Sequence, residues 1–274
     1  MTAPPLVDIG INLAHDSFAA DRELVLARAR AAGLVHLVVT GSSLASSTAA
    51  AAFAADQPSF LSATAGVHPH HSAEHDEATL DQLRLLLAAR GVRAVGECGL
   101  DYCRVSAPRA AQRPAFEWQL ALAVEVGKPL FLHQRDAHDD FVAMLRACGT
   151  PRPPSVAHCF TGTRVEAEAY LESGLHIGIT GWICDERRGR HLADVVRAIP
   201  AERLMLESDG PYLLPRTLTP KPRHRRNESC YLTEVCAAVA AARGETTAQV
   251  ARASSRAAAA FFGFAMQDLR SETT

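Results

Sequence analysis

Eight short runs rich in aliphatic and β-branched residues recur along the chain, and each is followed by a longer segment with apolar residues at helical spacing. The runs are Leu6–Ile9, Leu34–Thr40, Phe60–Ala65, Val92–Val95, Pro129–His133, Ser155–His158, His176–Ile179 and Arg203–Leu206. Strand–helix–strand units cross over with right-handed sense, and eight units of equal sense bring the last strand back beside the first. The pattern therefore predicts an α/β fold, a (β/α)8 TIM barrel. No linker or low-complexity stretch interrupts it, so residues 1–274 read as one domain.

The segments between the runs behave as crossover helices. Over Asp76–Arg90, Leu80, Leu83 and Leu87 share one stripe, and Phe116, Leu120 and Val124 recur every fourth residue. Gly33, Gly91, Gly127 and Gly174 stand just before strands, where a left-handed residue would end the preceding helix. The alanine-rich stretches Ala49–Ala52 and Ala257–Ala260 read as strong helix formers.

Charge and cysteine usage exclude several classes of protein. With 28 Lys+Arg against 30 Asp+Glu the chain has no broad basic face, so any polyanion must be met by a local patch. Seven scattered cysteines without a CxxC pair fit neither a disulfide framework nor a cysteine-rich zinc site. No leader-like start and no membrane-length apolar run are found, which points to a soluble cytoplasmic protein that does not contact a membrane.

In a barrel of this kind the chemistry sits at the C-terminal ends of the strands. Asp8 falls near the end of the first strand, His68 and His70 follow the third, Glu97 follows the fourth, His133 and His158 end the fifth and sixth, and Asp209 follows the eighth. One histidine beside a strand is ordinarily a packed core residue. Glu97, His133, His158 and Asp209 on a single rim are different, because desolvating two imidazoles and two carboxylates together is costly without a cation. Strand alternation turns Cys159 away from His158 and into the core. His15, His36, His75, His138, His176, His191 and His224 are scattered and receive no chemical role.

Dense motifs carry a family resemblance: DIGINL at 8–13, TAGVHPH at 64–70, GECGLD at 96–101, FLHQRDAH at 131–138 and HCFTGT at 158–163. IGITGWICDERRG at 177–189, ESDGPYLLPR at 207–216 and RRNE at 225–228 continue it in one register. The chain resembles the TatD family of metal-dependent deoxyribonucleases, in its bacterial TatD branch, a group of amidohydrolase-related TIM barrels. The resemblance implies a 3′–5′ exonuclease on single-stranded DNA, with RNA as a further substrate and DNA repair or degradation as its setting. The family's ligand positions fall on Glu97, His133, His158 and Asp209. Many members carry an HxH pair on the first strand, and this chain has Gly10 and Asn12 there.

The mechanism expected from these residues is hydrolysis by water activated on one or two divalent ions. Glu97, His133 and His158 would hold the first ion, Asp209 would orient or deprotonate the water, and His68 and His70 would donate to the phosphate. Without strand-one imidazoles the second position is lined by oxygen donors, with Asn12 or Asp8 contributing, which favours Mg²⁺ while leaving Mn²⁺ and Zn²⁺ open. Restoring the pair by Gly10→His with Asn12→His is expected to raise zinc affinity. Arg135 and the basic segment with Arg223, Arg225 and Arg226 are expected to bind substrate phosphates, and the protein is expected to act as a monomer. A D-aminoacyl-tRNA deacylase, or another ester or amide hydrolase on the same metal site, is the alternative.

Overall fold

The computed structural model describes residues 5–103, 107–149 and 152–266. Its centre is an eight-stranded parallel sheet in the sequential order β1 to β8. The strands are β1 (Leu6–Ile11), β2 (Leu34–Val39), β3 (Leu61–Ala65), β4 (Val92–Asp101), β5 (Leu130–Arg135), β6 (Ser155–Ala157), β7 (His176–Ile179) and β8 (Leu204–Leu206). The ring closes just beyond β8, where Ile11 forms a parallel bridge with Gly210 and the Asp209 amide donates to the Gly10 carbonyl at 2.8 Å.

The helices are α1 (Arg22–Ala31), α2 (Leu44–Asp56), α3 (Glu77–Ala88), α4 (Arg109–Val126), α5 (His138–Ala147), α6 (Arg164–Glu172), α7 (Leu192–Ala198), α8 (Leu232–Arg243) and α9 (Thr247–Phe262). Local sequence chemistry fixes their ends. Ser43, Thr163 and Thr246 each open a helix with a reciprocal capping box, and left-handed Gly127, Gly244 and Gly263 close α4, α8 and α9. Gly33 and Gly174 have the positive φ expected of them, whereas Gly91 does not, because α3 ends earlier through an extended Ala89.

Two apolar cores result. The larger lies between the sheet and the surrounding helices, with Leu37, Leu83, Phe116, Phe141 and Tyr170 fully buried. The smaller fills the barrel itself, where Val7, Ile9, Val38, Phe131, Val156 and Met205 meet Phe261 and Phe262 from α9. The last helix thus plugs the N-terminal end of the barrel, and the Val7 amide donates to Ser255 Oγ at 3.0 Å to fasten it. The C-terminal end is left open.

One strand runs longer than its sequence suggests. The glycines of GECGLD look like a strand terminus, but β4 continues through Glu97 to Asp101 past a register shift between Val95 and Cys98. Gly96 and Gly99 take φ of 126° and 146°, and a Cβ at either would collide with a β5 carbonyl, of Phe131 and His133 respectively. Glycine here lets a bulged strand lie tight against its neighbour rather than stopping it.

Candidate active site

The open end of the barrel holds a cavity of about 490 Å³, and the C-terminal end of every strand contributes to it. Asn12 follows β1, Ser42 follows β2, His68 and His70 follow β3, and Glu97 and Asp101 lie on β4. His133 and Arg135 end β5, His158 follows β6, Trp182 follows β7 and Asp209 follows β8.

Glu97 is the point of convergence. Its Oε1 lies 2.7 Å from His158 Nε2, 3.1 Å from His133 Nδ1 and 3.5 Å from His68 Nε2. Burial pushes the Glu97 carboxyl up, but the neighbouring His158 and His68 outweigh it and hold the group well below the ordinary carboxylate range. Burial likewise pushes His158 down, and there Glu97 and Glu207 prevail, so its imidazolium persists well above the usual range. His68 has no such pair of carboxylates, and burial takes it down to about 3. Its Nδ1 accepts from the His70 amide at 3.0 Å, so the neutral ring carries its proton on Nε2.

Asp209 completes the floor with a left-handed φ of 54°. Burial raises its pKa to about 7 against the opposing pull of His158, and Asn12 Nδ2 donates to its Oδ1 at 3.2 Å. His70 Nε2 pairs with Asp101 Oδ2 at 2.9 Å.

The donor set fits a divalent cation. His68, Glu97 and His133 each offer a ligand atom within 4.8 Å of the others, and the buried His133 Nε2 has only a long approach, 3.4 Å, to Asp101 Oδ2. Three imidazoles around one carboxylate oxygen, with a second acid beside them, is the donor chemistry of a hydrolytic metal centre.

Several expected residues are placed differently from their sequence reading. Asp8 lies in the middle of β1 and is fully buried, where its Oδ1 accepts from the Ser208 and Gly10 amides and its Oδ2 from Ser208 Oγ. It does not line the cavity. Arg226 is drawn away from any substrate by Asp21 and Glu228, at 2.8 and 2.7 Å, and lies over the Phe18 ring, so RRNE latches the loop to α1. Cys159, expected in the core, lines the cavity because its φ of 47° breaks the strand alternation.

The sequence reading passed over Glu207, Asp101 and Trp182. Glu207 is wholly buried; its Oε2 accepts from His158 Nδ1 at 3.1 Å and its Oε1 from the Cys159 amide. It occupies space left by two glycines. A Cβ on Gly10 would lie 2.7 Å from Glu207 Oε2, and one on Gly178 would collide with Oε1. A histidine at position 10 would therefore have to displace this carboxylate before it could reach a metal, a cost that the expectation for Gly10→His leaves out. Period-two spacing, Glu207 with Asp209 and Glu97 with Asp101, was the signal available for the two acids.

Comparison with known proteins agrees with this geometry. The family described as TatD related DNase matches residues 7–263. The chain belongs to the TatD family. The 3′-5′ ssDNA/RNA exonuclease TatD of Edwardsiella piscicida is 52% identical over 230 residues, 84% of this chain and 88% of that protein. The protein of the same name from Enterobacter lignolyticus is 49% identical over 261 residues, 95% of this chain and 100% of its own length. Among solved structures, the TatD family hydrolase of Entamoeba histolytica superposes with a TM-score of 0.86 at 26% identity, covering 96% of this chain and 99% of that one. The TatD homologue YJJV of Escherichia coli gives 0.86 at 28% identity, covering 95% and 98%. No helix among the described residues is long and apolar enough to cross a membrane.

Proposed function

We propose that this TatD-family enzyme is a 3′–5′ exonuclease that hydrolyses phosphodiester bonds of single-stranded DNA, and of RNA, as the names of its relatives say of those proteins. The observation that carries the reading is the meeting of His68, His133 and His158 on one Glu97 oxygen at the open end of a family-matched barrel. Glu97 and His133, with His158 in place of His68, whose Nδ1 is taken by the His70 amide, would hold a divalent cation, Mg²⁺ in the working enzyme because Asp209 and Asn12 add only oxygen donors on the strand-one side. Such an ion supplies Lewis acidity, lowering the pKa of water and polarising the phosphoryl group.

The protein's own residues supply the rest. Glu207 keeps a proton on His158 Nδ1 and so frees Nε2 to ligate. Asp209, with a pKa near 7 and Oδ1 engaged by Asn12, takes the proton of the attacking water on Oδ2. His68 donates from Nε2 toward the phosphate, and His70, held by Asp101, borders the same space. Arg135 lines the cavity and would pair with the reacting phosphate. Arg223 and Arg225 have no carboxylate partner among the described residues and would bind the phosphates of the strand, Arg225 from the wall of a cavity of about 280 Å³.

The test is incubation of metal-free enzyme with 5′-end-labelled single-stranded DNA, followed by separate addition of Mg²⁺, Mn²⁺ or Zn²⁺. A ladder shortening from the 3′ end with Mg²⁺ supports the reading. No cleavage with any ion, or release of an amino acid from D-aminoacyl-tRNA instead, overturns it.

A further inference from the structure

A second cavity, of about 280 Å³, adjoins the catalytic one, and Trp182, Arg188 and Leu213 line both. It lies between the turn after β7 (Gly181–Cys184) and the segment after β8, and Pro215, Lys221 and Arg225 complete the part of its wall that matters here. One side is planar: the Arg188 guanidinium lies 4.3 Å from the centre of the Trp182 ring, and Arg135 approaches the same ring at 5.2 Å.

The electrostatics are not balanced. Asp185 is taken by Arg188 at 2.9 Å, and Arg216 is taken by Glu186 at 3.1 Å. Lys221 and Arg225 line the cavity with no carboxylate partner among the described residues. Two uncompensated cations next to an indole–guanidinium stack and the apolar Leu213 and Pro215 match a ligand with a flat ring at one end and a phosphate at the other. The volume is on the order of 300 Å³, the low end for ligand pockets, and suits one nucleotide rather than a duplex.

We propose that this cavity is the subsite for the nucleotide adjoining the scissile bond on the retained strand, with its base on the Trp182–Arg188 platform and its phosphate between Lys221 and Arg225. The assignment rests on the nuclease reading above. A terminal nucleotide needs one pocket, and only the retained strand continues beyond the metal residues into a second. A paired base cannot enter, so the subsite selects single strands. Stacking has no donor–acceptor code, so the subsite tolerates every base.

Two measurements test this. In Trp118→Phe enzyme Trp182 is the sole tryptophan; without metal, a single-stranded hexanucleotide should quench its emission. In that background, Lys221→Ala with Arg225→Ala should weaken half-saturation at least tenfold and flatten the log–log salt dependence by about 0.7, the share of the one phosphate that the two cations hold. With Mg²⁺, the same pair should lower kcat/KM at least tenfold more on the hexanucleotide than on the p-nitrophenyl ester of thymidine 5′-monophosphate, which lacks the adjoining nucleotide. Equal losses on both substrates, or an unaltered salt slope, overturn the subsite. Failure of the unmutated enzyme to cleave either substrate overturns the nuclease reading instead, and the metal-free quenching still decides whether the cavity holds a strand.

Discussion

At the N-terminal end of the barrel His36 and His176 lie against aromatic rings, His36 stacked on Phe264 at 3.9 Å and His176 edge-on to Phe261 at 5.0 Å. At the C-terminal end His133 and His158 are buried as deeply, but against Glu97, Asp101 and Glu207. Burial drives the first pair down to about 4 each, with Arg93 beside His36 and Arg203 beside His176 adding to the effect and the opposing Glu202 too weak to reverse it. The second pair is raised above the ordinary histidine value by its carboxylates. Burial alone makes a neutral structural histidine, whereas burial beside several acids stores charge that a cation can replace.

The largest expected effect breaks the charged end. Glu97→Gln should leave the barrel folded, with unchanged circular dichroism, and lower exonuclease turnover by roughly 10³-fold or more, since it removes the negative charge on which three imidazoles converge. Near-normal turnover would detach the cluster from catalysis.

Next in size is the support beneath it. Glu207→Gln should weaken metal binding by roughly 10- to 100-fold in calorimetric titration, and Gly10→Ala should reproduce much of that loss by pressing on the same carboxylate. Wild-type affinity in both variants would make Glu207 a mere space filler.

The apolar end should respond to pH. Above pH 6.5 its histidines are neutral whether folded or unfolded; as the pH falls from 6.5 to 4 only the unfolded chain gains protons, so stability declines and then levels off. A shift of this size is worth roughly 3 kcal/mol at His36. Urea unfolding at pH 7 and pH 4.5 should therefore show a smaller acid penalty in His36→Gln than in wild type. His133 and His158 have the opposite sign, adding stability below their unfolded value that is lost as pH rises through the folded one.

The smallest effect separates two arginines of one segment. Arg226→Ala should cost about 1–3 kcal/mol of stability by breaking its bonds to Asp21 and Glu228, without altering the salt dependence of DNA binding. Arg223→Ala should leave stability alone and reduce the salt slope by about 0.7. The reverse pattern would exchange their roles.

Much of this was readable because strands and helices announce themselves by period, and because Glu97, His133, His158 and Asp209 stand where barrel strands end. What escaped has physical causes. Glycine reads as an interruption, so the bulged continuation of β4 to Asp101 looked like a loop. Glu207 lies one alternation below Asp209, and only the space opened by Gly10 and Gly178 shows that a carboxylate fits inside the barrel. Arg226 and Arg225 are adjacent in sequence, yet one finds Asp21 on the run into α1 and the other finds no carboxylate among the described residues, a distinction made by tertiary contact alone.

The barrel seam sets a condition on when the enzyme can exist. Asn12 and Asp209, 197 positions apart, touch across the junction where Asp209 also bonds the Gly10 carbonyl. During synthesis the N-terminal strands leave the ribosome long before residue 209, so Asp209 cannot join Glu97, His133 and His158 until the eighth strand has docked beside the first. A growing chain therefore carries its histidines for most of its synthesis with Asp209 still missing from the rim, and the full set of rim residues exists only when the circle is shut.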